Sequence, residues 1–408
     1  MRENDYCNIH YMKRVHLNLA HLGGEEIEYV RKAFEDDWVA PLGPNVDGFE
    51  EDLKQYLGEG KEVLALSSGT AAVHLGLVGC GVSEGDEVIA QSFTFCASVN
   101  PILYLGAKPI LVDSESDTWN MDPELLEEAI EDRIAKTGRT PKAIVPVSLY
   151  GMPYKIDRIM EIAGRYGIAV VEDSAEALGS RFDGRALGTF GKFGVLSFNG
   201  NKMITTSGGG ALICPDAPTK ERMLYYATQA RDPYPFYQHE RLGYNYRMSN
   251  VCAGIGRGQM DVLQAHIDRH REIAKMYAEL LGDIPGIRVH NNPSLRVESN
   301  YWLSTIVLDP DLHISGQETI EMRNKQVFST NPNVEALRVV LDKAGIESRP
   351  LWKPMHLQPL YNGVPFYRSK DHVSESLFKT GLCLPSGPRV SDDDVRYICE
   401  RIHEATVR

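Results

Sequence analysis

The 408-residue chain has no run of about 18 apolar residues, so no membrane-spanning helix is expected. Nor has it a surplus of positive charge. Its 43 Lys and Arg face 56 Asp and Glu, a formal net charge of −13. That balance argues against a nucleic-acid backbone as partner, which demands a concentrated basic surface. Small anions remain open as ligands, because a few local cations or helix N-termini hold them. The stretch Met1–Arg14 lacks the apolar core of a secretory signal and reads as a short N-terminal arm. Cysteines are few and scattered (Cys7, Cys80, Cys96, Cys214, Cys252, Cys383 and Cys399), with no Cys-x-x-Cys pair. They read as free thiols in a reducing cytoplasm, and no metal site is expected. Internal repeats and low-complexity tracts are also missing.

What is present is alternation. At this length about two domains are expected. Between about residues 60 and 215, short β-branched runs alternate with helical patterns. Val63–Leu66, Glu87–Ala90, Lys108–Val112, Ala143–Val147, Ile168–Glu172, Gly194–Phe198 and Gly209–Ile213 read as strands. Thr70–Gly79 and Cys96–Leu105 read as helices between them, and Asp122-Pro123 reads as a helix start, a capping residue followed by proline. Such alternation predicts an α/β fold with a mostly parallel sheet covered on both faces. From about Val251 the texture changes. Ser249 or Asn250 caps one long helix running towards Leu281, and a smaller α+β domain follows. The expected division is residues 1–14 as arm, 15–255 as large domain and 256–408 as small domain. The polar, weakly periodic stretch His313–Asn333 reads as a surface insertion, with a functional lid as the alternative.

Four segments carry chemistry. In Ser67-Ser68-Gly69-Thr70 a strand turns into a helix, and unpaired N–H groups with the Ser68 and Thr70 hydroxyls suit a phosphate. A plain capped turn has the same pattern. The apolar strand Ile168–Val171 ends in Glu172-Asp173, placing Asp173 where open α/β sheets bind ligands. There it can pair with a protonated heterocyclic nitrogen or merely cap the next segment. Glu172 alternates to the other face, and Glu176 falls on the following turn. In Ser197-Phe198-Asn199-Gly200-Asn201-Lys202, followed by Gly208-Gly209-Gly210, Ser197 can donate to a phosphate while Lys202 reaches a carbon of the same ligand. Finally Phe95, in Gln91-Ser92-Phe93-Thr94-Phe95, can stack on a flat ring or fill core.

Together with Trp38–Pro44, Gly243–Asn250 and Arg349–His356, these blocks make the chain resemble the DegT-type nucleotide-sugar aminotransferases from Asn18 to about Val390. These are fold-type I enzymes of pyridoxal 5′-phosphate (PLP). The resemblance implies a large domain with a mostly parallel seven-stranded sheet and a smaller C-terminal domain. It implies that Lys202 is the Schiff-base lysine and Asp173 the partner of the pyridine nitrogen. Phe95 would stack on the ring, Ser68, Gly69, Thr70 and Ser197 would contact the phosphate, and Glu176 would face the ring or substrate. It further implies a homodimer in which Asn245 and Arg247 complete the phosphate site of the neighbouring subunit. Many relatives carry Gln or His at the position of Glu176, which leaves that residue's role open.

L-Glutamate is the implied amino donor, and a nucleotide-linked keto sugar the acceptor. The lysine loop, Thr228–Arg231 and Tyr237–His239 resemble the subgroup acting on UDP-4-keto-6-deoxy-N-acetylglucosamine, on the route to bacillosamine. GDP-4-keto-6-deoxymannose and dTDP-linked keto sugars are the alternatives. Trp352 and His356 are candidates to contact the substrate. A dehydratase branch of the fold replaces the lysine with histidine, so Lys202 disfavours it. A regulator without turnover is disfavoured by the lack of a basic or helix-turn-helix extension.

Overall fold

Short apolar runs buried on both faces need helices above and below them, and that requirement organises the molecule. The structure, a computed structural model, describes residues 14–320 and 328–406. In chain order the strands are β1 (Glu62–Leu66), β2 (Glu87–Gln91), β3 (Lys108–Val112), β4 (Ala143–Val145) and β5 (Ala169–Asp173). The hairpin β6 (Arg181–Phe182) and β7 (Arg185–Ala186) precedes β8 (Phe193–Ser197) and β9 (Gly210–Cys214). The C-terminal half supplies β10 (Ile287–Val289), β11 (Val297–Glu298), β12 (Ser304–Leu308), β13 (Arg349–Pro350), β14 (Phe366–Tyr367) and β15 (Gly381–Leu384).

The large sheet has eight strands in the order β1-β9-β8-β5-β4-β2-β3-β14. Only β9 runs against its neighbours, β1 and β8, so the sheet is mostly parallel, as the alternation predicts. Period-two alternation serves both faces. Val88, Ala90, Leu111, Val145 and Val171 join the core under the helix Gly69–Gly79. Ile89, Ile110, Ile144 and Val170 join the core under the helices Pro123–Thr137 and Ile156–Tyr166. The expected seven strands are corrected to eight. Phe366–Tyr367 returns from the C-terminal half to pair in parallel with Leu111 and Val112. Two residues carry no periodic signal, so nothing in the sequence marks them as a strand.

A second sheet, β10-β12-β15-β13, is antiparallel throughout. Its inner face (Ile306, Leu308, Leu382, Leu384) packs on helices Leu263–Leu281, Pro332–Lys343 and Asp392–Thr406. The single long helix expected from Asn250 is two. Asn250–Met260 is capped by Ser249, whose hydroxyl accepts from Cys252 N at 3.2 Å. It is pressed so tightly on the N-terminal helices that a Cβ on Gly256 would sit 2.7 Å from the Phe49 ring. A cut after residue 255 therefore falls inside a helix belonging to the large sheet's body. The next helix spans both cores, with Leu263 and Ile267 in one and Ile273, Tyr277 and Leu281 in the other. Val15, expected at the start of the large domain, packs instead in the second core and pairs with Ile346.

Of His313–Asn333, residues 321–327 lie outside the described ones. The ends are anchored: Ile314 is buried, and Asn333 Nδ2 donates to the carbonyls of Asp309 (2.9 Å) and Leu312 (3.0 Å). Among the described residues no helix is long and apolar enough to cross a membrane.

Candidate active site

Parallel strands all present their carboxyl ends on one edge of the sheet, and there the chain opens a cavity of about 450 Å³. Ser68, Gly69 and Thr70 enter it after β1, Phe95 after β2, and Asp173 and Glu176 at and after β5. Ser197 and Lys202 come from the end of β8 and its loop, and Trp302 and Trp352 from the C-terminal half.

The turn after β1 is built for an anion. Ser68, in extended conformation, caps the helix by accepting from Ala71 N at 3.1 Å. The first N–H groups of any helix lack intrahelical acceptors, and here they lie at the cavity wall. Glycine is demanded by backbone contact. A Cβ on Gly210 would lie 2.4 Å from Gly69 N and from the Ser68 carbonyl carbon; one on Gly69 would lie 3.0 Å from Ser197 Cβ. The turn and Ser197 are thus packed into one surface.

Asp173 is buried, with both carboxylate oxygens held. Ser98 Oγ donates to Oδ2 at 2.6 Å and Ala175 N to Oδ1 at 3.1 Å. Thr94 Oγ1 lies 2.7 Å from Ser98 Oγ and extends the chain of hydroxyls. Burial pushes the Asp173 carboxyl above the usual carboxylate range, against the pull of Ser98, the Ala175 N–H and Lys202. Glu172, as the alternation predicts, faces the other way and accepts from Gly188 N (3.3 Å) and Gly191 N (2.5 Å).

Lys202 Nζ lies 3.3 Å from Glu176 Oε1 and 4.0 Å from the centre of the Trp302 ring. Glu176 Oε2 accepts from Tyr150 N at 2.7 Å. Burial raises the Glu176 carboxyl, Lys202 and the Tyr150 N–H lower it, and the charge of Asp173 raises it again. Tyr150 holds a left-handed backbone (φ 55°), rare for a bulky residue, and its hydroxyl accepts from Trp352 N at 2.9 Å. Asn300 Nδ2 donates to the carbonyls of Glu176 and Leu178, each at 2.9 Å, and its Oδ1 accepts from Trp302 N. Trp302 Nε1 in turn donates to Asn201 O at 2.6 Å, one residue before the lysine.

Phe95 is 46% exposed and sits 5.1 Å from Trp352, ring centre to ring centre, so the two form an aromatic wall. His356 does not reach the cavity. Its Nδ1 meets Ser92 Oγ at 2.8 Å, its Nε2 faces Glu375 at 3.4 Å, and its ring stacks on Phe366. In this position His356 supports the segment leading to Phe95. Arg247 is also engaged within the chain. It is bonded to Glu50 and to the Ala65 carbonyl (3.0 Å) within its own chain, because its backbone runs beside the end of β1. Asn245 lies outside its own chain's cavity, at the surface, in contact with Gln229.

Four residues went unmarked in the sequence reading: Ser98, Tyr150, Asn300 and Trp302. Ser98 stands three residues after Phe95 in an already singled-out segment, so a search for a hydroxyl partner to Asp173 could have reached it. The others act from remote segments and carry no local signal.

The donor set fits PLP: a hydroxyl- and N–H-lined turn for a phosphate, a buried carboxylate for a ring nitrogen, an amine for an aldehyde, and glycines where side chains would block the floor. A model of the DegT/DnrJ/EryC1/StrS aminotransferase family matches residues 20–403. EpsN of Bacillus subtilis (strain 168), assigned as a pyridoxal phosphate-dependent aminotransferase, is 44% identical over 390 residues, 95% of each chain. GDP-perosamine synthase of Escherichia coli O157:H7 is 37% identical over 393 residues, 96% of this chain and 99% of that one. A DegT DnrJ EryC1 StrS aminotransferase from Brucella abortus superposes with a TM-score of 0.83 at 29% identity, covering 94% of this chain and 96% of its own. Strands β1 to β15 all fall inside the matched span, and the chain belongs to the DegT/DnrJ/EryC1/StrS aminotransferase family.

Proposed function

We propose that this PLP-dependent aminotransferase moves the amino group of L-glutamate to the 4-keto carbon of a nucleotide-linked 4-keto-6-deoxy sugar, with UDP-4-keto-6-deoxy-N-acetylglucosamine as acceptor, for a surface glycan. The observation that carries the reading is the convergence of Lys202, the buried Asp173 and the Ser68–Thr70/Ser197 cradle on one cavity. Bound PLP supplies an aldehyde carbon that takes up amines and a conjugated ring that accepts electrons. Ser68, Gly69, Thr70 and Ser197 hold its phosphate, and Asp173, aimed by Ser98 and Ala175, holds the ring nitrogen protonated. Phe95 offers the ring a face. Freed of its covalent link, the Lys202 amine takes the proton from the donor's α-carbon and, in the second half-reaction, delivers one to the acceptor carbon that becomes the amine, a role typically worth ~10²–10⁴-fold. Trp302 and Trp352 line the C-terminal side of the cavity.

A second copy of the chain completes the site. The lining residues carry two carboxylates, Asp173 and Glu176, against one cation, Lys202. Phosphate, donor and nucleotide are all anionic, so further positive and polar groups must come from elsewhere, Asn245 of the other copy among them. Exposed apolar residues flank the segment that holds Asn245. Trp38, 39% exposed, accepts through its carbonyl from Asn250, and Tyr104, 56% exposed, packs edge-on against His74 beside Tyr244 and Tyr246. Covering them by a homodimer suits their chemistry.

The likeness to GDP-perosamine synthase favours a second acceptor, GDP-4-keto-6-deoxymannose. Incubating the protein with PLP, L-glutamate and UDP-, GDP- or dTDP-linked keto sugars, with products read by mass spectrometry, tests both. An amino sugar from the UDP substrate supports the first reading, and one from the GDP substrate alone supports the second. No amine on any of them overturns the proposal.

A further inference from the structure

Asn245 stands exposed, outside its own chain's cavity, and its side chain is held in one direction. The bridges Thr228 to Asn245 and Leu66 to Arg247 keep its segment extended. Ser67 N donates to Tyr246 O at 2.8 Å on one side, and Tyr246 N to Ala227 O at 2.9 Å on the other. Adjacent residues of an extended segment face opposite ways. Tyr244 and Tyr246 stack on each other and meet the ring of buried His74 edge-on, so Asn245 between them faces outward. There its Oδ1 accepts from Gln229 Nε2 at 3.1 Å. Among the described residues its Nδ2 meets no acceptor.

Gln229 holds this post at a cost. It and Ala230 both have left-handed backbones (φ 65° and 49°), which residues with a Cβ rarely adopt. The turn is firmly fixed all the same. Gln229 N donates to Tyr244 O at 2.8 Å, and His239 Nδ1 donates to Gln229 O at 2.9 Å. Gly243 passes so close that a Cβ on it would lie 2.1 Å from the Gln229 carbonyl carbon. Glycine at 229 would make the same turn with less strain. What it would lack is the amide that meets Asn245.

Two amides join in either of two ways. With the Gln229 NH2 on the Asn245 carbonyl, the Asn245 NH2 is left to donate; turned the other way, a carbonyl would face out. Donors are what hold a phosphate. We propose that Gln229 is a positioning residue for Asn245: it occupies the Asn245 carbonyl and so presents the NH2 to the PLP phosphate in the partner subunit's cavity. This rests on the reading that a second copy completes the site.

The test is the PLP affinity of the full-length chain, stripped of cofactor and dialysed against graded PLP. N245A should weaken binding roughly 10- to 100-fold, the effect of one hydrogen bond to a charged group. Q229M, which keeps the length and loses the amide, should weaken it roughly 3- to 10-fold, the effect of a neutral hydrogen bond. Q229G should do the same while its Tm holds or rises, since glycine relieves the left-handed backbone. In an N245A background either change at 229 should shift affinity by less than about twofold. A Gln229 that only braces the turn predicts the reverse: affinity falls with Tm, and equally with or without Asn245. Should Q229M not fold, Q229G carries the comparison alone. Wild-type affinity in the 229 variants, a loss that tracks Tm, or an undiminished loss in the N245A background overturns the proposal. The underlying reading fails differently, by wild-type affinity in N245A itself, and this inference falls with it.

Discussion

The Ser98 hydroxyl donates to Asp173 Oδ2 across 2.6 Å, both residues being buried at the cavity wall. It sets the direction of the carboxylate that faces the cavity and offsets part of the cost of burying its charge. A hydrogen bond to a charged group contributes about 1.5–3 kcal/mol. S98A is therefore expected to lower kcat roughly 10- to 100-fold with the fold retained, measured by steady-state kinetics alongside a thermal melt. Unchanged kcat would mean that Asp173 needs no such support.

Lys202 and the phosphate cradle make separable contributions. K202A should abolish turnover yet still bind PLP non-covalently, since Ser68, Gly69, Thr70, Ser197 and Phe95 remain. Equilibrium dialysis and a turnover assay on the same preparation check this. Wild-type activity in K202A contradicts the assignment of the lysine.

Gly210 is fixed by its neighbours. A Cβ there would press to 2.4 Å on the Ser68–Gly69 peptide, which belongs to the turn expected to hold the phosphate. G210A should cost about 1–3 kcal/mol of stability as overpacking, and PLP affinity should fall with it. The control is G138A, at a helix end with nothing within 4 Å but with a left-handed backbone. It should lose stability without losing affinity. Equal loss of affinity in both variants contradicts the link between Gly210 and the cradle.

Acid should destabilise the protein through its buried histidines. His270 is buried, its Nδ1 donating to Tyr301 O at 3.1 Å, and burial lowers its pKa from 6.5 to about 4. The unfolded chain takes up this proton below about pH 6.5, and the folded chain only near 4. Protons therefore favour unfolding across that window: stability is lost as pH falls from 6.5 towards 4, and the loss levels off below. His74, lowered by burial to about 4, acts in the same direction. Urea titrations at several pH values should show H270Q flattening this slope by up to about 3 kcal/mol. A slope equal to that of wild type contradicts the assignment to His270.

Much of the fold was legible because its signals are local. The seven strands of the alternating region are short continuous apolar runs, and helix caps (Ser68, Asp122, Ser249) stand where a helix start needs them. Strand-end logic separated Asp173 from Glu172 correctly, since adjacent strand residues face opposite ways. What was not legible depends on contacts between distant segments. Phe366–Tyr367 becomes a strand only because β3 offers an open edge. Trp302 reaches the lysine loop only because Asn300 clamps it to the turn after β5. Arg247 and His356 look functional by residue type, but Glu50 and Ser92, more than a hundred residues away, engage them. Residue chemistry names candidates, and tertiary packing decides which of them face the cavity.

Reducing the PLP-loaded protein with borohydride, digesting it and locating the cofactor's mass by peptide sequencing tests the role of Lys202 most directly. The prediction is a single modified peptide, carrying the pyridoxyl group on Lys202. A pyridoxyl group on another lysine, or none after saturation with PLP, contradicts it.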